Sequence, residues 1–344
     1  MILLDPAMQP YLMALTFIMG LCVGSFLNVV GLRFLADEAV VMPPSHCPKC
    51  QYRLRAIDNI PVLSYLILGA RCHSCKEPIS VQYPLIELAT GVLFCLVVWM
   101  FGVSWGTLFL LFLVSNLIVI FITDLRESLI FQLNSLTLIP AGLIYNAFNL
   151  GHLPGSIRVD LGSIIFYCPE AVVSALIGIV IALVFFEGMI LLSQIFFGTE
   201  GFGHGDTHLM MGAGAFLGWP LTVLALLLGF IAQTIPAIPM LVWQWIRNKQ
   251  YVSLISGAVA VIAGGAPLIL MNLSLTPETR TMVSLICLVM AVVALFVFLR
   301  QVRTTQTYTY LPLGPALIIG ILVALFWGQP ILDAYHAFIM QPRF

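Results

Sequence analysis

Two pairs of cysteines stand in the one long polar stretch of a chain that is otherwise strongly apolar. Two CxxC pairs at this spacing can supply four thiolates to a tetrahedral zinc ion and leave no coordination position open for a substrate. The pattern therefore predicts a metal that stabilises structure and takes no part in catalysis. His46 and His73 adjoin the pairs, and either could replace one thiolate in a Cys3His site. The four cysteines are Cys47, Cys50, Cys72 and Cys75.

Two aspartates beside long apolar segments are candidate catalytic residues. Asp124 ends the segment IFITDLR, and Asp206 lies in the glycine-rich sequence GFGHGDTHL. An ionisable group at a membrane boundary is costly and is a functional candidate for that reason. Two aspartates at one depth can share a proton, so that one activates water while the other polarises a peptide carbonyl. The alternatives are a solvated residue at a span end for Asp124 and a helix cap for Asp206.

Three glycines alternate with other residues ahead of the second aspartate, at Gly201, Gly203 and Gly205. Because glycine lacks a Cβ atom, these positions allow backbone with positive φ and a close approach by a substrate strand.

Four other titratable residues near these motifs each have two interpretations. His204 and His208 flank the second aspartate and could contact it or the substrate, or could bond to a neighbouring loop. Glu87 could meet a free amine of the substrate, or could be an acid favoured near a helix N-terminus. Glu187 lies deep in an apolar segment, which predicts an internal partner or an aqueous cavity.

The composition places these motifs in a membrane protein. Hydrophobic residues make up 61% of the 344 residues and charged residues 8%, whereas about a quarter of a soluble domain is charged. A net charge of -1 without a long basic run argues against nucleic-acid binding. Apolar runs of about twenty residues predict about ten membrane spans. They lie at 11–32, 84–101, 105–123, 129–150, 170–190, 209–229, 231–246, 252–273, 282–299 and 313–332.

The basic residues predict the orientation of these spans. With the amino terminus outside, only Arg158, Arg280 and Arg343 of the 14 basic residues fall outside. This orientation puts both aspartates at the cytoplasmic face and the cysteines in the reducing cytoplasm, where metal binding is favoured over a disulfide. The first run lacks a basic n-region and a small-residue cleavage site, so it predicts a retained span. The predicted fold is an all-α polytopic helical membrane protein with a small cytoplasmic four-cysteine, zinc-ribbon-like insertion.

Further motifs follow one another in a fixed order along the chain. They are GSFLNVV at 24–30, PSHCPKC at 44–50, DNIPVLSY at 58–65, the second cysteine pair, YPLIE at 83–87, GFGHGDTHLMMGAGAFLGW at 201–219 and LGP at 313–315. In this order they resemble the type IV prepilin peptidases, the GxGD-type membrane aspartic peptidases of type IV pilus and type II secretion systems. The resemblance covers most of 11–230 and 310–330.

The resemblance implies that Asp124 and Asp206 are the catalytic pair. It implies cleavage of leader peptides from prepilins or pseudopilins at the cytoplasmic face of the bacterial inner membrane. It also implies methylation of the new amino terminus with S-adenosylmethionine, and the expected cofactors are therefore structural zinc and, if methylation is retained, this methyl donor. The expected partners are the leader peptide and the lipid bilayer. The residues expected to support the motif are Gly203, Gly205, His208 and Glu87.

Several positions depart from the family pattern. Ala70 stands where a glycine is usual, and Gln82 replaces a customary arginine. Residues 130–132 replace the usual Leu-Pro-Asp, and His208 replaces a lysine. Because both aspartates remain, we predict retained cleavage with weak or absent methylation. A Rossmann-type glycine fingerprint is missing from the sequence, so the methyl-donor site must be of another kind.

The motifs divide the chain into five predicted segments. They are a first span at 1–33, a zinc-binding-like loop at 34–83, a membrane aspartic peptidase core at 84–230, an extended membrane segment at 231–312 and a C-terminal span and tail at 313–344. Two other functions remain open at this point: a proton- or ion-coupled membrane transporter, and a non-enzymatic secretion or pilus assembly protein. A transporter would show ion-coupled flux, and it does not account for GSFLNVV and the two CxxC pairs.

Overall fold

The computed structural model describes residues 8–40, 44–148, 156–161, 164–198, 203–270, 277–305 and 312–340. These residues are nearly all helical, which confirms the predicted fold class. The first helices are α1 (Gln9–Leu35), α2 (Leu63–Ile67), α3 (Gln82–Phe101), α4 (Trp105–Glu127), α5 (Gln132–Leu136) and α6 (Leu138–Ala147). An antiparallel hairpin follows, made of β1 (Ser156–Leu161) and β2 (Ile164–Pro169). The later helices are α7 (Glu170–Phe197), α8 (His204–Arg247), α9 (Tyr251–Leu270), α10 (Pro277–Thr305) and α11 (Gly314–Met340).

Six helices in the described part of the chain are long and apolar enough to cross a membrane. They lie at Gln9–Leu35, Gln82–Phe101, Trp105–Glu127, Glu170–Phe196, His204–Arg247 and Gly314–Phe338. The predicted count of about ten spans is therefore not confirmed. The runs predicted at 209–229 and 231–246 lie in one element, α8. The apolar helical segments in α9 and α10 are shorter, at Tyr251–Ala266 and Met282–Ala294 of the described residues.

A proline explains why the span predicted at 129–150 is divided into α5 and α6. Pro140 follows the break at Thr137, and it has no N–H to donate to the Leu136 carbonyl four residues earlier. Helix α6 instead begins with the Ala141 N–H donating to the Thr137 carbonyl at 3.4 Å. Residues 149–150 of the predicted span lie outside the described residues.

The chain forms two compact units. The first comprises Met1–Leu191, Gly201–Ala232 and Pro312–Phe344, and the second comprises Leu192–Glu200 and Gln233–Leu311. In the first unit α4 packs against α1, α3, α6 and α11, and its Leu113, Val114 and Leu117 are fully buried. Helix α4 therefore forms the centre of this unit. In the second unit α9 and α10 pack against each other.

Helix α1 approaches α3 through glycines spaced four residues apart. A Cβ atom added to Gly20 would lie 2.7 Å from the Gly91 Cα, and one added to Gly24 would lie 2.9 Å from the Glu87 Cα. Small residues at this spacing let membrane helices pack closely.

The Gly20→Ala substitution should consequently force α1 and α3 apart. We expect it to destabilise the protein by about 1–3 kcal/mol, the usual cost of overpacking, measured as a lower melting temperature in detergent. Gly188→Ala is the matched control, because a Cβ atom there meets no described atom within 4 Å. Equal melting temperatures for the two variants would contradict the expected close packing.

Helix α8 bends at Gly218, whose φ of 73° and ψ of 172° are not helical. The Trp219 N–H leaves the helical pattern and donates to the Ser174 Oγ of α7 at 3.3 Å. The Asn146 Nδ2 of α6 donates to the Ala215 carbonyl at 2.7 Å. These side chains satisfy backbone groups that the bend would otherwise leave unpaired in an apolar interior, so the bend fixes α6, α7 and α8 together.

Candidate active site and metal centre

Asp124 lies in the last turn of α4 and is only 4% exposed. The helix ends at Ser128, which has left-handed backbone and donates its N–H to the Asp124 carbonyl at 2.8 Å. The backbone N–H of Gly314, the first residue of α11, donates to the Asp124 carboxylate. A Cβ atom on Gly314 would lie 2.5 Å from the Asp124 Oδ2. The first turn of α11 thus packs directly on this carboxylate.

Asp206 lies in the first turn of α8, where the helix dipole favours a negative charge. Its N–H donates to the Gly203 carbonyl at 3.1 Å, and its carboxylate accepts the Gly203 N–H. The carboxylate also lies close enough to Asp124 for the two charges to repel. The structure therefore brings together the two aspartates that the sequence singled out.

Gly205 brings these two helix ends into contact. A Cβ atom added to Gly205 would lie 2.7 Å from the Ile130 Cβ, just beyond the end of α4. A Cβ atom added to Gly203 would not be crowded in this way, because the atom nearest to it would be the Gly205 nitrogen at 3.9 Å. Neither glycine has positive φ, so neither uses the left-handed backbone that glycine allows. Gly201 lies outside the described residues.

Two histidines near Asp206 differ in their contacts. The His204 Nδ1 lies 3.3 Å from a carboxylate oxygen of Glu187, and both side chains are about half exposed. Glu187 therefore has a partner, as the sequence predicted, but the pair is not internal. The buried Nδ1 of His208 and the buried hydroxyl of Thr207 have no hydrogen-bond partner among the described residues.

The four cysteines form one cluster in the loop between α1 and α3, with all sulfur atoms within 4.8 Å of one another. The Sγ atoms of Cys47 and Cys75 are 3.8 Å apart, and those of Cys50 and Cys72 are 4.0 Å apart. Four sulfurs placed tetrahedrally at about 2.3 Å from a zinc ion would be about 3.8 Å apart, whereas disulfide sulfurs are about 2.05 Å apart. The cluster therefore fits a metal ion and not a disulfide.

The two cysteine pairs share one backbone pattern. The Gln51 N–H donates to the Cys47 carbonyl at 2.9 Å, and the Lys76 N–H donates to the Cys72 carbonyl at 3.2 Å. Both Gln51 and Lys76 have positive φ, near 60°. The N–H groups of Cys75 and Ser74 lower the pKa of the Cys72 thiol to about 7, because hydrogen bonds to the sulfur favour the thiolate.

The histidines beside the cysteines make other contacts. The His46 Nδ1 lies 3.0 Å from the Pro44 carbonyl oxygen, and the His73 Nε2 lies 3.0 Å from a guanidinium nitrogen of Arg55. The His73 ring also stacks on Tyr52 at 5.9 Å. In the part of the chain that the structure describes, the metal-ligand cluster contains the four cysteines and neither histidine.

Three positions of the amino-terminal half have contacts or backbone conformations that the sequence did not predict. The buried Glu87 accepts the Val62 N–H at 2.7 Å, at the start of α2 and not of its own helix. Gln82 accepts two hydrogen bonds from Arg126, two residues after Asp124. Ala70 has a φ of 59°, so its backbone is of the kind that favours glycine. The sequence does not identify Gly314 or Arg126 as site residues, and its one signal there is the LGP motif around Gly314.

Two family models match the chain. The bacterial peptidase A24 N-terminal domain matches residues 18–101, and the type IV leader peptidase family matches residues 111–238. No solved structure matches the chain significantly.

The similar proteins are named as prepilin leader peptidase/N-methyltransferases. The one from Neisseria gonorrhoeae is 33% identical over 71% of this chain and 86% of its own length. The one from Pseudomonas aeruginosa is 34% identical over 66% of this chain and 80% of its own length. The one from Myxococcus xanthus is 37% identical over 61% of this chain, and that match spans 57% of the relative.

Proposed function

Because the chain belongs to the type IV leader peptidase family of membrane aspartic peptidases, we propose that it cleaves leader peptides from type IV prepilins or pseudopilins. The observation that carries the proposal is the approach of Asp124 and Asp206 at the adjoining ends of α4 and α8. We place this site at the cytoplasmic face of a bacterial inner membrane, as the distribution of basic residues predicts.

The two carboxylates supply the acid and the base for hydrolysis. Since like charges this close do not both ionise cheaply, the pair holds one proton between its members. The ionised aspartate takes a proton from water as the water attacks the scissile carbonyl, and the protonated aspartate donates to the carbonyl oxygen. Collapse of the tetrahedral intermediate breaks the C–N bond, and the departing amine receives a proton from the pair. Gly205 holds the helix ends together, and Gly203 and Gly314 orient the carboxylates.

Co-expression with candidate prepilins tests this function directly. Intact-mass analysis of the product should show loss of the leader segment when this chain is present. An uncleaved prepilin, in cells where the protein is inserted in the membrane, would contradict the proposal.

We further propose that the four cysteines hold one structural zinc ion. The sulfur separations and the closed thiolate set support a metal without an open coordination position. The metal would stabilise the loop that lies against α1 and α3. The zinc-binding-like loop at 34–83 and the peptidase core at 84–230 remain predictions from the sequence.

Metal analysis of the purified protein should find about one zinc per chain. Cys47→Ser should lower that content and make the loop more sensitive to proteolysis, because binding of structural zinc contributes on the order of 10 kcal/mol to folding in small zinc domains. Cys22→Ser is the matched control, since Cys22 is an exposed cysteine of α1 outside the cluster. Unchanged zinc content in the Cys47 variant would argue for four unliganded thiols.

We also propose methylation of the new amino terminus, the second activity in the names of the relatives. S-adenosylmethionine would supply the methyl group on an activated sulfonium. Glu87 is buried near the start of α3 and is a candidate to face positive charge during this step.

A further inference from the structure

A cavity of about 490 Å³ lies between the four-cysteine loop, which includes α2, and the helices α1, α3 and α4. Its lining includes Ser25 of α1, Tyr65 of α2, Glu87 of α3 and Arg126 of α4. Cavities of about 300–1,000 Å³ are typical of sites for small molecules. Neither aspartate of the candidate catalytic pair lines it, so this cavity is separate from the site of peptide cleavage.

Glu87 gives the cavity a buried acid whose charge is not balanced. Glu87 is only 6% exposed, and its Oε2 accepts the Val62 N–H. Among the described residues no cation forms an ion pair with it. The neighbouring buried acid, Asp58, differs because it is paired with Arg55 at 3.1 Å. A buried carboxylate without a cation is costly, so Glu87 favours a positively charged ligand.

Arg126 places an exposed cation at the same cavity. Its Nε and Nη2 donate to the Gln82 Oε1 at 3.0 and 2.7 Å, and that partner is neutral. No carboxylate within the described ranges pairs with Arg126. Because a guanidinium carries five N–H donors, the bonds to Gln82 orient it and leave donors for a ligand.

These two residues fit a ligand that carries a carboxylate and positive charge together. We propose that the cavity binds S-adenosylmethionine, with Arg126 facing its carboxylate and Glu87 facing its ammonium and sulfonium charges. The rings of Tyr65 and Tyr83, which also line the cavity, offer apolar surface for the adenine. This inference rests on the methyl-transfer part of the proposed function.

The proposed site changes the interpretation of Gln82, which stands where the family pattern has an arginine. From the sequence, loss of an arginine there predicted weak methylation. In the structure the cation comes from α4 instead, and Gln82 holds it in place. Gln82→Arg would set a second guanidinium against the first, so it should weaken donor binding and not restore it. Ala70→Gly relieves a φ of 59° away from the cavity lining and should leave donor binding unchanged.

Equilibrium dialysis of the purified full-length protein in lipid nanodiscs, with tritiated S-adenosylmethionine, tests the site. We expect saturable binding to the wild type and roughly 10- to 100-fold weaker binding to Arg126→Gln, the range for hydrogen bonds to charged groups. Arg53→Gln is the matched control, because it removes the same charge from a position in the four-cysteine loop that does not line the cavity. It should bind the donor as the wild type does.

Binding of a second ligand distinguishes loss of carboxylate recognition by Arg126 from general damage to the protein. Methylthioadenosine lacks the amino-acid part, so its affinity should be the same for the wild type and Arg126→Gln. Equal donor binding by these two proteins, or no donor binding by the wild type, would overturn the inference. Leader cleavage by the wild type is assayed in parallel. Donor binding without cleavage would count against the peptidase proposal, and cleavage without donor binding against the site proposed here.

Discussion

Replacing either Asp124 or Asp206 with asparagine is expected to abolish leader removal. Asparagine keeps the size of the side chain but can neither accept the proton of water nor hold the shared proton. Because general acid and base catalysis contributes about 10²–10⁴-fold, cleavage should fall at least about 100-fold in each variant. The measurement is the fraction of a co-expressed prepilin that shifts in mass.

Asp333→Asn is the matched control for these variants. Asp333 is an exposed aspartate of α11 whose Oδ1 accepts a hydrogen bond from Gln329. The Asp333 variant should cleave as the wild type does. The Asp124, Asp206 and Asp333 variants should be present in the membrane at similar levels. Cleavage that persists in either the Asp124 or the Asp206 variant would contradict the two-aspartate assignment.

Gly314→Ala should lower kcat roughly 100-fold, which is the cost of misplacing a reacting group by about 1 Å. The added methyl would lie 2.5 Å from the Asp124 Oδ2 and 3.0 Å from its Cγ. Since Asp124 is only 4% exposed, its carboxylate must shift to avoid the methyl. The residue contacts no substrate in this account, so KM for a leader peptide should stay near the wild-type value.

Zinc content and melting temperature show whether the Gly314 variant is folded. Gly188→Ala serves again as the control, because the methyl there meets open space. Wild-type kcat in the folded Gly314 variant would contradict a positioning role. A raised KM with unchanged kcat would instead indicate that α11 contacts the substrate.

The elements that carry the chemistry could be predicted from sequence because they are local patterns. Two CxxC pairs predict a four-thiolate cluster by spacing alone, and long apolar runs predict helices that place Asp124 and Asp206 near one membrane depth. Contacts between distant segments could not be predicted in this way. Nothing local to Gly205 indicates that Ile130 will lie against it, and nothing local to Gln82 indicates that Arg126 will donate to it.

The predicted span count is not confirmed, and the reason is related. Hydropathy measures the apolar character of a segment but not its hydrogen bonding, so it does not register the break that Pro140 makes before α6. It also separates one element, α8, into two runs, while the actual bend is at Gly218 within the first run. The GxxxG spacing of Gly20 and Gly24 was visible in the sequence, but the partner helix was not.

The contact between Gly314 and Asp124 has a consequence for how the protein is made. A ribosome synthesises both aspartates before it reaches α11, so a nascent chain carries both carboxylates of the proposed pair without the Gly314 amide that orients one of them. Until the first turn of α11 packs onto α4, the Asp124 carboxylate lacks its backbone donor. On the proposed two-aspartate mechanism, the order of the helices along the chain would delay catalytic competence until synthesis has passed Gly314 and would protect neighbouring membrane segments from an incompletely assembled protease.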